Sequence, residues 1–123
     1  MKAVFDTNIL IDYLNGIPDA AKEISLYKTK IISVITQIEV LVGAQTSDEE
    51  DIIRSFLSSF QIQPLTEEIA EATINLRKEH RLKIPDAIVY ATAQNEECLL
   101  ISRNTKDFKT IGQICVSPIR LVK

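Results

Sequence analysis

Residues 2–14 read KAVFDTNILIDYL. Lys2–Phe5 is a short apolar run of strand character, and it stops on an acid, Asp6. Ile9, Leu10, Tyr13 and Leu14 then recur at helical spacing. A strand that hands over directly to an amphipathic helix opens a β-α unit, and such units lay their strands parallel. The alternation continues outward. Gly16 and Pro18 end the first helix, and Asp19–Lys28 reads as a second. Ile31–Val34 reads as a strand. Thr36 is expected to cap a helix that runs to about Ala44, with Ile38, Leu41 and Val42 facing in. The run Ser47-Asp48-Glu49-Glu50 reads as a capping box for the helix carrying Ile52, Ile53, Phe56, Leu57 and Phe60. Ile62–Leu65 contains Pro64 and suits only an edge strand. Thr66 is placed to cap a helix to about His80, and Pro85 belongs in the first turn of another to about Glu96. Cys98–Ile101 is continuously apolar, as strands buried on both faces of a parallel sheet are, and Gln113–Val116 reads as the last strand. The expected architecture is one domain over residues 1–123. It is α/β, with a central, mostly parallel sheet of four to five strands flanked by helices in three layers.

A chain of 123 residues is long enough for one domain with a full core. The 17 Asp and Glu outnumber the 14 Lys and Arg, a formal charge of −3, which argues against gripping nucleic acid through bulk positive charge. One histidine, His80, and two cysteines, Cys98 and Cys115, are too few for a zinc site of about four ligands. They also exclude a disulfide framework. Isolated cysteines in apolar runs read as buried thiols of a reduced, intracellular protein. No apolar run approaches the roughly 20 residues of a membrane span, and MKAVFDTN lacks the layout of a signal peptide, so the expected location is the cytoplasm.

Most acids lie at helix ends or on polar faces. Four do not fit so easily. Asp6 stands at the carboxyl end of the first strand, where it is either a helix cap or a functional group. Glu39 is surrounded by Ile38, Val40, Leu41 and Val42, so it is either on a narrow exposed stripe or buried with a cation. Asp86, in KIPDAIVYATA, opens an almost wholly apolar helix, where an acid also complements the helix dipole. Asp107, in SRNTKDF, follows the strand CLLI, in a segment that also suits a turn. Asp6, Asp86 and Asp107 map to strand and helix ends that should meet at one edge of a parallel sheet. Carboxylates gathered there repel one another and raise their pKa values. A hard divalent cation relieves that cost, and oxygen-only ligation points to Mg²⁺ or Mn²⁺.

The ordered set of D-T-N after the first strand, a lone Glu39, P-D-A opening an apolar helix and S-R-N-T-K-D-F after the next strand resembles the PIN-domain proteins. More narrowly, it resembles the VapC-type toxins of type II toxin–antitoxin pairs. The resemblance covers the whole chain. It implies a PIN-like three-layer sandwich and a Mg²⁺-dependent endoribonuclease, with Mn²⁺ as a substitute. Asp6, Glu39 and Asp86 match the three core acids of the family. Asn104 stands where the family often has a fourth acid, which puts a second metal in doubt, while Asp107 is retained three residues on. Ser102 matches a common Thr or Ser, and Asn8 is placed to orient a water or an acid. On this reading Asp6 and Asp86 hold the principal cation, and Glu39 and Asp107 complete its shell or orient the attacking water. Cleavage then leaves a 5′-phosphate and a 3′-hydroxyl. A cognate antitoxin and a homodimer are implied by the resemblance alone.

The charge distribution agrees with an RNA substrate. Residues 1–75 carry 5 Lys and Arg against 12 Asp and Glu, whereas residues 76–123 carry 9 against 5. Arg77, Lys78, Arg81, Lys83, Arg103, Lys106 and Lys109 could line an approach for phosphates, Lys83, Arg103 and Lys106 most directly. The same residues also balance helix C-termini. His80 is read as a helix-end polar residue, so a two-histidine acid–base mechanism is not available. A receiver domain lacks its mid-chain acceptor Asp here, and a haloacid-dehalogenase-type phosphatase would need an acid where Asn8 stands. The competing function is a PIN-fold protein that is not a toxin, either a housekeeping nuclease or a weakened binding module.

Overall fold

A computed structural model describes residues 1–108 and 115–116. The chain runs β1 (Lys2–Phe5), α1 (Thr7–Leu14), α2 (Pro18–Ser25), β2 (Thr29–Ser33), α3 (Val34–Val42), α4 (Ser47–Leu57), β3 (Gln61–Gln63), α5 (Glu67–His80), α6 (Ile84–Glu96), β4 (Leu99–Ile101), α7 (Thr105–Phe108) and β5 (Cys115–Val116). The five strands form one sheet in the order β3-β2-β1-β4-β5, and every neighbouring pair is parallel. This is the α/β sandwich expected. β3 is indeed an edge strand, and Gln113 and Ile114 of the expected last strand lie outside the described residues. Among the described residues, no helix is long and apolar enough to cross a membrane.

Strand alternation builds the three layers. Ala3 and Phe5 of β1, with Ile32 and Ile101, face a core shared with α1, α2 and α4. Val4, Ile31 and Leu100 face the other way, into a core shared with α5, α6 and Phe108 of α7. Side chains on a strand point to opposite faces in turn, so a central strand must be apolar throughout to serve both layers. Phe5 sits edge-on to Tyr27 and Phe60, with ring centroids 5.7 and 5.9 Å away.

Two helix starts differ from the sequence reading. Ser33, not Thr36, caps α3, its hydroxyl accepting from the Ile35 N–H at 3.1 Å. Thr36 lies inside the helix and is fully buried. The apolar residues of α3 are also rotated from expectation, for Val40 is buried while Ile38 and Val42 are exposed. The cap of α4 is Thr46, one residue earlier than expected; its hydroxyl accepts from the Glu49 N–H, and Glu49 accepts from the Gln45 N–H. Thr66 caps α5 and Pro85 lies in the first turn of α6, as read.

α5 and α6 both end on a non-glycine residue in the left-handed region, Arg81 at φ 58° and Glu97 at φ 53°. A Cβ in that region costs about 1 kcal/mol or more. Glu97 is exposed. Glu97→Gly is therefore expected to stabilise the protein by about 0.5–1 kcal/mol, the strain relieved less the added unfolded-state entropy. Urea melts at a constant m-value measure it.

Candidate active site

The parallel register sets β1 and β4 side by side, with Phe5 opposite Ile101. The Asp6 N–H continues the ladder to the Ile101 carbonyl at 2.9 Å. Asp6 and Ser102 therefore leave the sheet together at its carboxyl edge, where parallel α/β sheets place their ligands. Asp6 is 5% exposed and caps α1, so both readings of this residue apply at once. Its Oδ1 accepts from the Thr7 N–H at 2.8 Å, and its Oδ2 from the Ser102 hydroxyl at 2.7 Å and the Asn8 amide at 3.3 Å. Burial raises its pKa above the ordinary 3.8. The Ser102 and Thr7 hydrogen bonds oppose that, the Glu39 charge adds to it, and Arg103 opposes it. No ion pair among the described residues includes Asp6.

A run of polar contacts spreads from this carboxylate. Asn8 touches Ser102 through its amide nitrogen (3.4 Å), while its carbonyl accepts from the Arg103 N–H at 3.1 Å. Ser102 is fully buried and accepts from the Asn104 N–H at 2.9 Å. The Asn104 amide reaches Asp86 Oδ2 at 3.5 Å. Glu39 lies on the α1 side. It is exposed, which settles the alternative left open by its apolar neighbours, and its Oε1 takes the Thr7 hydroxyl at 2.6 Å. Asp6, Asn8, Ser102, Asn104, Asp86 and Glu39 thus belong to one neighbourhood. Asp107 lies in α7, and its side chain is outside the described residues.

Among the described residues, no three His, Cys, Asp or Glu side chains stand close enough together to hold an ion between them. Asp107, one of the three acids expected to meet at this edge, has its side chain outside the described residues. The donors still fit a hard divalent cation in kind, being all oxygen, with one of them buried and without an ion-pair partner. Mg²⁺ commonly takes one or two carboxylates directly and keeps several waters, so it does not require three carboxylates in mutual contact.

Three features escaped the sequence reading. Asp12 grips Arg103 with both oxygens, Nε to Oδ2 at 2.6 Å and the second guanidinium nitrogen to Oδ1 at 3.3 Å. The guanidinium expected to meet RNA is thus already engaged, and it anchors the β4–α7 loop to α1. Thr36 reads from sequence only as a cap and Thr7 only as part of D-T-N, yet their hydroxyls lie 3.1 Å apart beside Glu39. The available signal was spacing: Thr36 stands one turn before Glu39, and Asp12 one turn after Asn8. Lys83 and Lys106 are exposed, as a phosphate contact requires. His80 is 3.9 Å from Glu79 at the end of α5. A groove of about 460 Å³ opens beside Glu39, walled by Ile11 and Leu14 of α1, Val40 of α3 and Ile52 and Ile53 of α4.

A buried strand-end carboxylate, joined through Ser102 and Asn104 to a second acid and flanked by a third, defines an acid-based site on a parallel α/β sheet. The chain belongs to the PIN-domain family, whose family model matches residues 3–114. It is similar to ribonuclease VapC10 of Mycobacterium tuberculosis, 29% identical over 118 residues, covering 89% of this chain and 87% of that one. Among solved structures it is similar to a chain of a toxin–antitoxin complex from Klebsiella pneumoniae. That chain is 44% identical with a TM-score of 0.90, and the match covers 97% of this chain and 99% of that one. VapBC2 from Rickettsia felis, solved with a fragment of promoter DNA, shares the fold at a TM-score of 0.84 and 24% identity, over 95% of this chain and 98% of that one.

Proposed function

We propose that the protein is a Mg²⁺-dependent endoribonuclease, with Mn²⁺ as a substitute, and that it acts as the toxin of a type II toxin–antitoxin pair. The observation that carries the reading is the buried Asp6 carboxylate, held at the sheet edge by Ser102 and Thr7 with Glu39 and Asp86 on either side. The 44% identity to a chain of a toxin–antitoxin complex supports the biological role, and the likeness to a ribonuclease supports the reaction. A divalent cation in such a site polarises a phosphate oxygen and lowers the pKa of a water.

The chain's own residues do the rest. Ser102, Asn8 and the Thr7 N–H fix the direction of Asp6, leaving a lone pair of Oδ1 for the cation shell. Asn104 steadies Asp86 on the far side. Glu39 is exposed at the mouth, where it is placed to accept a proton from the attacking water. Asp107, in α7 after β4, is kept in the proposal as a further acid. Lys83 and Lys106 are exposed cations for the RNA backbone, and Arg103, also exposed, anchors the β4–α7 loop to α1 through Asp12. The 2′-hydroxyl takes no part. The open groove lined by Ile11, Ile52 and Ile53 supports an antitoxin partner that covers the site, since exposed apolar surface marks protein contacts. The exposed Ile38 and Val42 support a pairing of two copies.

The test is cleavage of total RNA by purified protein with Mg²⁺ or with EDTA, followed by end analysis. Cleavage only with the cation, leaving 5′-phosphates, is expected. Asp86→Ala should lose about a hundredfold or more of the rate, as removal of a charged transition-state contact does. EDTA-resistant cleavage, 2′,3′-cyclic phosphate ends, or full activity in Asp86→Ala would overturn the mechanism.

A further inference from the structure

Thr7 touches both acids on the α1 side of the site. Its backbone N–H donates to Asp6 Oδ1 at 2.8 Å, and its hydroxyl donates to Glu39 Oε1 at 2.6 Å. The same hydroxyl oxygen lies 3.1 Å from Thr36 Oγ1. A hydroxyl has one proton to give. The carboxylate is the nearer and stronger acceptor, so it takes the Thr7 proton, and the contact between the two threonines is made by the proton of Thr36. Thr36 is fully buried, and Ser33 already caps the helix, so its hydroxyl is not needed as a cap.

Glu39 needs such a hold. It is exposed, and no ion pair among the described residues includes it. Its charge and that of Asp6 repel, and a free glutamate gains rotamer entropy by swinging into solvent. The geometry points to Thr7, backed by Thr36, as the positioning residue that keeps the Glu39 carboxylate facing Asp6. The direction of each hydrogen bond matters. Thr36 donates to Thr7, Thr7 donates to Glu39, and the backbone N–H of Thr7 serves Asp6. One residue thereby sets the separation of two acids that stand 33 positions apart in sequence. This rests on the proposed reading of Asp6 and Glu39 as acids of one cation site.

The experiment uses the full chain and three variants, Thr7→Val, Thr7→Ser and Thr36→Val. In EDTA, side-chain couplings of Glu39 measured by NMR should report one rotamer in the wild type and Thr7→Ser, and averaging in Thr7→Val. Mn²⁺ binding, followed without RNA by the EPR signal of the free ion, should weaken about tenfold in Thr7→Val, the size of one lost hydrogen bond to a charged group. Thr7→Ser should bind like the wild type, and Thr36→Val should fall between. A single Glu39 rotamer in Thr7→Val, or a Thr7→Ser as weak as Thr7→Val, overturns the proposal. If Thr7→Val does not fold, Thr36→Val decides by the same two readouts, unchanged values overturning it. If the wild type takes up no Mn²⁺, the cation reading fails, while the rotamer measurement still decides the role of Thr7.

Discussion

Asp6→Asn is expected to abolish RNA cleavage and, in EDTA, to raise the melting temperature. The two effects share one cause. Asp6 is 5% exposed and has no ion-pair partner among the described residues, so the folded protein holds a carboxylate where water cannot solvate it. Asparagine has the same shape. Its oxygen can still accept from the Thr7 N–H, and its amide can donate to the Ser102 oxygen, whose proton is free to turn away. The Asn8 amide, 3.3 Å from the same position, gives up one long hydrogen bond there. The larger loss is the charge, and with it the means of attracting a cation. Cleavage should fall on the order of a thousandfold. Removing the buried charge should contribute about 1 kcal/mol, or about 4 °C in a chain of this size.

The pH dependence has a definite sign. Burial lifts the Asp6 pKa above 3.8, so the folded state holds this proton over a range in which the unfolded chain has released it. The stability this group contributes is complete below 3.8 and is lost as the pH rises through the folded pKa. Wild type and Asp6→Asn should therefore melt together at low pH and separate toward neutral pH. Millimolar Mg²⁺ should close the gap by stabilising the wild type alone, since only its folded state binds the ion. A wild type that melts above Asp6→Asn in EDTA at neutral pH would contradict the account of Asp6.

Phe5→Ala should give the largest loss of stability. Phe5 is fully buried, and it packs edge-on against Tyr27 after α2 and Phe60 after α4. Deleting a buried aromatic ring from a core costs about 3–5 kcal/mol. Against a domain stability of about 5–15 kcal/mol, that moves the melting temperature on the order of 10–20 °C. Phe5 also immediately precedes Asp6, and its backbone register with Ile101 aims that carboxylate. Cleavage at a temperature where the variant is still folded should fall as well, because the edge of β1 is no longer held. Thermal melts beside activity at low temperature separate the two losses. A drop of under 1 kcal/mol would mean that the ring is not part of a packed core.

The sheet was legible because its strands obey one simple rule. Val4, Phe5, Leu100 and Ile101 are apolar on both faces, and residues of that kind have no place at a solvated surface. Asp6 was legible for the complementary reason, as a charge at the end of such a run. In α3, VITQIEVLV, the six apolar residues lie all round the helix, so periodicity does not choose a buried face. The cap is chosen by where β2 ends, and that depends on its pairing with β1 and β3. Glu39 was undecided for the same cause. The partners of Asp12 and Thr36 are tertiary contacts, and neither residue breaks a local pattern. Placing element ends at one edge fixes neighbourhoods of several ångströms but not the reach of individual side chains.

The hydrogen bond from Ser102 to Asp6 joins residues 96 positions apart, and the Asp12–Arg103 pair spans 91. Protein synthesis delivers Asp6 96 residues before Ser102, and Asp12 91 residues before Arg103. A ribosome that has not yet reached β4 has made Asp6, but it has not yet supplied the Ser102 hydroxyl that aims it. Domains acquire such long-range pairings late. A growing or prematurely ended chain therefore carries the acids of the site without their arrangement, and competence arrives in one step, when β4 slots in beside β1.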